Sequence, residues 1–203
     1  FVDTQGKPLG LEFDNHQNLI VADADKGLLS INQQGQITVL TDSVNGNRMK
    51  FVDDLDIASD GTIWFSDATT RYSHDDTIYS FFENRATGRL LSYSPSTKIT
   101  KIHLENLYFA NGVALGPDDQ YVLINETANS RTRRLWLKGE RAGITDLFHD
   151  GFPGLPDNIS YNGEGIFWVA FAAIRVPAIE ALAENTLIRK IIGGLPKKVF
   201  TPT

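Results

Sequence analysis

Asp53, Asn111 and Asp157 occupy one position of a pattern that recurs along the chain. Four segments align without gaps: LGLEFDNHQNLIVAD from Leu9, DDLDIASDGTIWFSD from Asp53, NGVALGPDDQYVLIN from Asn111 and DNISYNGEGIFWVAF from Asp157. Their opening residues form a first column, Leu9, Asp53, Asn111 and Asp157, at separations of 44, 58 and 46 residues. Three of the four carry side-chain oxygen, and Asn158 stands beside the last. Carboxylate and amide oxygens converging from several strands suit Ca²⁺, which takes about six to eight oxygen ligands, some of them water. The chain has no cysteine and no histidine in the column, which disfavours zinc. The same residues are also ordinary turn formers, as in Pro156-Asp157-Asn158 and Asn111-Gly112. Spacing alone leaves both readings open.

The elements that must position this column read as strands. Each segment runs from a short apolar-alternating stretch through a turn rich in Asp, Asn and Gly into a β-branched or aromatic stretch. Leu11 and Phe13, then Leu19 and Val21, make the first hairpin, with Asp14-Asn15-His16-Gln17 as its turn. Further strand-like runs follow: GLLSIN and QITVLT, RLLSYS and ITKIHL, RTRRLWLK and ITDLFH. Four antiparallel strands in a unit of roughly 40–60 residues are the signature of a β-propeller blade. A sandwich or barrel would leave the aligned units unexplained. The expected blades cover residues 8–42, 52–104, 108–149 and an incomplete 155–203. In a propeller the first strand of each blade lines the central channel, so the first column would meet around one axis.

Two insertions interrupt the pattern. Residues 69–88 are too long for a hairpin turn. They read either as a loop over a binding site or as a surface excursion with its own small core of Tyr79, Phe81 and Phe82. Residues 177–192 carry helical spacing at Ile179, Leu182, Leu187 and Ile191, before Gly193-Gly194. Three and a half blades do not close a ring. Open blade edges are therefore expected, and with them either further chain or self-association through those edges.

The 203 residues suffice for one domain with a real core, and the formal net charge is −6. That balance disfavours nucleic acid and anionic membranes as partners. No apolar run approaches the roughly 18 residues of a membrane span. The composition leaves a small-molecule substrate open without pointing to one, and no compartment follows from it.

The stretches FVDDLDIASDGTIWFSDATTRYS, GRLLSYSPSTKITK, FANGVALGPDDQYVLINETANSRTRRLWLKG and GLPDNISYNGEGIFWVAF resemble the strictosidine synthase-like family, in particular its adipocyte plasma membrane-associated protein branch. The resemblance covers nearly the whole chain with the motifs in order. It implies the wider superfamily of gluconolactonases, regucalcin-type proteins and paraoxonases, all six-bladed propellers with a divalent ion in the channel. Carried over, the ion's ligands fall on Asp53, Asn111 and Asp157, with Asn158 as a further one. It implies a calcium-dependent hydrolase of esters or lactones in which Asp157 is also the general base. The alternative is a non-catalytic scaffold with a structural calcium.

Three departures qualify the resemblance. Asp53 stands where the family usually has Asn. The first-blade Glu ligand has no counterpart in this chain. The paraoxonase histidine pair would fall on Leu9 and Asp23. The late-blade Glu of the condensing enzyme lies beyond Thr203, so the condensation has no support. Asp54, His74 and Glu126 are the side chains expected to meet a substrate. His16, His103 and His149 read as solvated histidines near strand ends. Ser66 and Ser80 lie in no nucleophile-elbow motif.

Overall fold

The computed structural model describes residues 1–175 and, beyond them, residues 191, 194, 195 and 199. Apart from Ile191, the helix expected over 177–192 lies outside the described residues, as does most of the fourth unit after its first hairpin.

The alternating runs become sixteen strands among the described residues. The first unit is a four-stranded antiparallel meander of β1 (Pro8–Phe13), β2 (Leu19–Asp23), β3 (Gly27–Ile31) and β4 (Ile37–Thr41). A small hairpin that the repeat did not announce, β5 (Ser43–Val44) with β6 (Asn47–Arg48), links it to the second unit. The second meander contains β7 (Val52–Ile57), β8 (Ile63–Asp67), β9 (Gly88–Ser94) and β10 (Ile99–Leu107). The third contains β11 (Ala110–Leu115), β12 (Tyr121–Glu126), β13 (Arg131–Trp136) and β14 (Thr145–Asp150). The fourth shows its first hairpin, β15 (Gly154–Tyr161) with β16 (Phe167–Ile174).

The units stack face to face through apolar layers. Ile20, Ala22 and Leu28 of the first meet Leu55, Ile63, Phe65 and Leu91 of the second. Trp64 and Leu90 of the second meet Val113, Leu115, Ile124 and Leu135 of the third. Ala114 and Leu123 of the third meet Ile159, Phe167 and Val169 of the fourth. Side-chain alternation explains the layering: each strand presents one set of side chains to the blade before it and the other set to the blade after it. The inner strands β1, β7, β11 and β15 lie side by side in that order. This is propeller architecture, as the repeat predicts.

The insertion 69–88 forms a helix, α1 (Thr77–Glu83). Its Phe81 does not build a private core. It stacks on Phe109 with ring centroids 4.7 Å apart and joins Leu9, Ala24, Phe51, Ala68 and Ala128. Phe51 and Phe109 stand two residues before Asp53 and Asn111. The insertion therefore roofs the end of the channel where the inner strands begin. His74 fastens it to the first unit, with Nδ1 2.9 Å from Asp25 Oδ1.

Candidate metal centre

Each inner strand carries a β-bulge at the same place. Between Pro8 and Leu11 the chain advances three residues while its partner advances two, from Asp23 to Val21. The same step recurs between Val52 and Leu55, Ala110 and Val113, and Pro156 and Ile159. The extra residue falls on the first column and the residue after it. A bulge re-aims side chains that regular pleating would send to the blade faces. Pro156-Asp157-Asn158 is thus not a hairpin turn but the bulge of a strand.

The residues after the first column are Gly10, Asp54, Gly112 and Asn158, and the glycines have a steric cause. A Cβ on Gly112 would lie 2.7 Å from the backbone nitrogen of Ile159, and one on Gly10 2.7 Å from Asp54 Cα. Any side chain there would push the next inner strand away.

Asp53 and Asn111 are both buried. The Asp53 carboxyl is held well above the usual carboxylate range, first by burial and then by the charges of Asp54, Asp157 and Asp67. That coupling places Asp53 and Asp157 within electrostatic reach of one another. Asn111, on the inner strand between them, has a buried Oδ1 with no hydrogen-bond partner. A buried carbonyl left unpaired is costly. The strand of Asn111, β11, lies between those that carry Asp53 and Asp157, and two carboxyl groups that disfavour each other's ionisation gain from a shared cation. The three oxygens are hard donors of the kind calcium takes, and water must complete the shell. Among the described residues no three His, Cys, Asp or Glu side chains cluster to hold a metal. The set is two carboxylates and an amide, and it fits a weakly held hard cation rather than a zinc site.

The other expected site residues sit elsewhere. Asp54 Oδ2 accepts the backbone N–H of Val113 at 2.9 Å, and the Asn158 side chain also bonds to this carboxylate. Burial pushes Asp54 up to about 7. These two residues form a second tier that ties units two, three and four together. Asn158, expected as a further ligand, also gives a hydrogen bond to Asp54. Glu126 is fully buried, accepts the N–H of Tyr108 and pairs with Arg131. It closes its own blade, as Asp67 does by accepting the N–H of Phe51 and pairing with Arg89. His74 lies in the roof, bonded to Asp25. His103 bonds Ser92 and rests on Trp64, and like His16 and His149 it is exposed. Ser66 Oγ accepts the N–H of Asp54. Sequence reasoning missed Asn125 and Thr127, whose side chains donate to the carbonyls of Asp157 and Pro156 at 2.7 Å each. The signal was the stretch INETA, where alternation sets Asn125 and Thr127 opposite Glu126.

Bulged inner strands around an oxygen-lined axis define a β-propeller with a candidate cation site in its channel. Comparison with known proteins agrees on the fold. A gluconolactonase from Xanthomonas campestris superposes with a TM-score of 0.65 at 21% identity, over 81% of this chain and 56% of that one. A calcium-binding regucalcin from Agrobacterium tumefaciens gives 0.59 at 17% identity, over 81% and 53%. The family model for strictosidine synthase matches residues 53–140. Strictosidine synthase-like protein 13 of Arabidopsis thaliana is 44% identical over 94% of this chain and 48% of its own length. The adipocyte plasma membrane-associated protein of Salmo salar is 38% identical over 92% and 47%. The chain is thus similar to strictosidine synthase-like proteins over nearly all of its length, and it spans about half the length of the curated relatives it matches.

Proposed function

We propose that this chain forms part of a calcium-dependent hydrolase of small-molecule esters or lactones, with Asp53, Asn111 and Asp157 as the cation's protein ligands. The observation that carries this reading is the unpaired, buried Asn111 Oδ1 between two first-column aspartates. Similarity to a gluconolactonase and to a calcium-binding regucalcin supports the class. A bound divalent cation supplies Lewis acidity at a substrate carbonyl and stabilises the developing oxyanion. Asp157 acts as general base toward a water, since no histidine stands in the column. The apolar roof of Phe51, Phe81 and Phe109 keeps water away from that end of the channel.

A second reading is a non-catalytic propeller in which calcium pins the blades. It is favoured by the engagement of His74 and His103 in contacts away from the first column, and of Ser66 in holding the bulge of Asp53 and Asp54. Hydrolysis of an aryl ester and a lactone, with calcium and with EGTA, separates the two, read beside calorimetric calcium titration. Hydrolysis abolished by EGTA and restored by calcium supports the enzyme. Calcium binding without hydrolysis supports the scaffold, and no calcium binding refutes both.

A further inference from the structure

We infer that Asn125, oriented by Thr132 and assisted by Thr127, is the positioning residue for Asp157. The claim rests on the proposed cation site, but its geometry stands by itself. Asp157 belongs to the fourth unit. Its backbone is held by side chains of the third. Asn125 Nδ2 donates to the carbonyl of Asp157 at 2.7 Å. Thr127 Oγ1 donates to the preceding carbonyl, that of Pro156, also at 2.7 Å. Two consecutive carbonyls of one bulge are thus fixed from outside their own sheet. Peptide planes are rigid, so holding two of them fixes the backbone dihedrals between and the direction in which Asp157 leaves the strand.

The amide of Asn125 works in only one orientation. Thr132 Oγ1 donates to Asn125 Oδ1 at 2.6 Å. An acceptor facing Thr132 leaves Nδ2 facing Asp157. Were the amide reversed, its carbonyl would face the Asp157 carbonyl, acceptor against acceptor. Asn125 and Thr132 are both essentially fully buried, so water cannot substitute for either bond. Gly112 completes the arrangement. Its missing Cβ leaves room for Asn125 Nδ2, which that atom would approach to 2.9 Å. Position 125 faces the bulge of its own hairpin, between the pairs Ala110 with Glu126 and Val113 with Ile124. The second unit uses the equivalent place differently: Ser66 accepts the N–H of Asp54 and so holds its own bulge. From this place in the repeat, the third unit reaches across to the next one among the described residues. The carboxylate it serves is on β15, a less buried strand than the β7 that carries Asp53.

A fixed outer contact holds a metal ligand in place, and losing one typically weakens affinity roughly 10- to 100-fold. Asn125→Asp keeps the acceptor for Thr132 and removes the donor to Asp157. Thr132→Val leaves Asn125 in place and frees its amide to rotate, whereas Thr132→Ser keeps the hydroxyl. Calorimetric titration with calcium chloride is run on the parent and the three variants, with calcium-free melting curves on the same samples. The expected result is calcium affinity at least tenfold weaker in Asn125→Asp and Thr132→Val and restored in Thr132→Ser. Variants that melt lower yet bind calcium with parental affinity would reduce Asn125 to a blade fastener and overturn the inference. If the parent binds no calcium, the metal reading fails, and a crystal structure of Asn125→Ala decides the positioning claim. A bulge at 156–158 unmoved in that variant overturns it; rotated Pro156 and Asp157 carbonyls sustain it. Should Asn125→Ala not fold, the same comparison is made on Thr132→Val.

Discussion

Replacing Asp56 by Asn should stabilise the calcium-free protein, and by an amount that depends on pH. Asp56 lies three residues beyond the first column, on β7. Its Oδ2 accepts the N–H of Leu115 at 2.7 Å and its Oδ1 that of Ile57 at 2.7 Å. It is a latch between the inner strands of units two and three. Burial, with the charges of Glu12 and Asp119 adding to it, raises this carboxyl to about 6 against those two hydrogen bonds. For an acid whose folded value lies above its unfolded value of 3.8, folding favours the protonated form. The stability it lends is complete below that unfolded value and is lost as pH rises through the folded one. A rise of about two pH units corresponds to roughly 3 kcal/mol. Asn keeps a neutral acceptor for Leu115 and cannot ionise. His103, lowered by burial and by Lys101, works in the opposite direction but is common to both proteins and cancels in the difference. Urea unfolding in EGTA should therefore give nearly equal stability at pH 4. By pH 7.5 the variant should be ahead by about 2–3 kcal/mol, with most of the divergence between pH 4 and 6. A variant less stable than the parent at pH 7.5, or a difference that does not change with pH, would refute the reasoning.

Asp157→Ala should abolish the calcium-dependent rise in melting temperature. In the parent, calcium at 100 times its dissociation constant should add about 2.7 kcal/mol; an equal rise in the variant would remove Asp157 from the site. Asn111→Ala should be neutral or stabilising without calcium, because it deletes a buried unpaired carbonyl that costs roughly 1–3 kcal/mol. It should also weaken calcium binding, and a calcium affinity left at the parental value would contradict the ligand assignment. Arg89→Ala should destabilise by roughly 3–5 kcal/mol, since it leaves the fully buried Asp67 without its cation. Asp67→Asn in the same background should recover much of that loss in denaturant melts. Leu11 and Phe13 in the first unit and Trp168 and Ile174 in the fourth are exposed apolar side chains, so the isolated chain should self-associate. Light scattering that gives a monodisperse monomer at high concentration would count against this.

The repeat made the blades legible because alternation and turn residues are local signals. The third unit shows where an ungapped reading slips. Its hairpin turn contains the extra turn Pro117–Asp119, and the residue paired with Ala110 is Glu126, not Asn125. Glu126 is therefore the counterpart of Asp23 and Asp67, and the alignment had put Asn125 in its place. That one-residue shift also explains why Asn125 and Thr127 escaped notice. The first column was visible as a column, but the bulges that aim it were not, since a bulge at Pro156–Asn158 and a turn have the same composition. Least legible were the bonds between units. Asp56 to Leu115 and Asp54 to Val113 each span 59 residues and end on backbone N–H groups, which leave no mark on the partner's side chain.

The burial of Trp64 and the exposure of Trp168 bear on how the site is held. The two occupy the same place in the repeat, yet Trp64 is 7% exposed and Trp168 66%. Trp64 is covered because the third unit packs on the back of the second. Blade burial thus comes from the neighbour and not from the blade itself. The same holds for the site. Asp54 and Asp56 of the second unit bond the backbone of the third, and Asn125 and Thr127 of the third bond the backbone of the fourth. The strands that carry Asn111 and Asp157 are therefore each set by side chains one blade away. A change at Asn125 should be felt at Asp157, and one at Asp54 or Asp56 at Asn111, before either is felt in the sheet that carries the mutation.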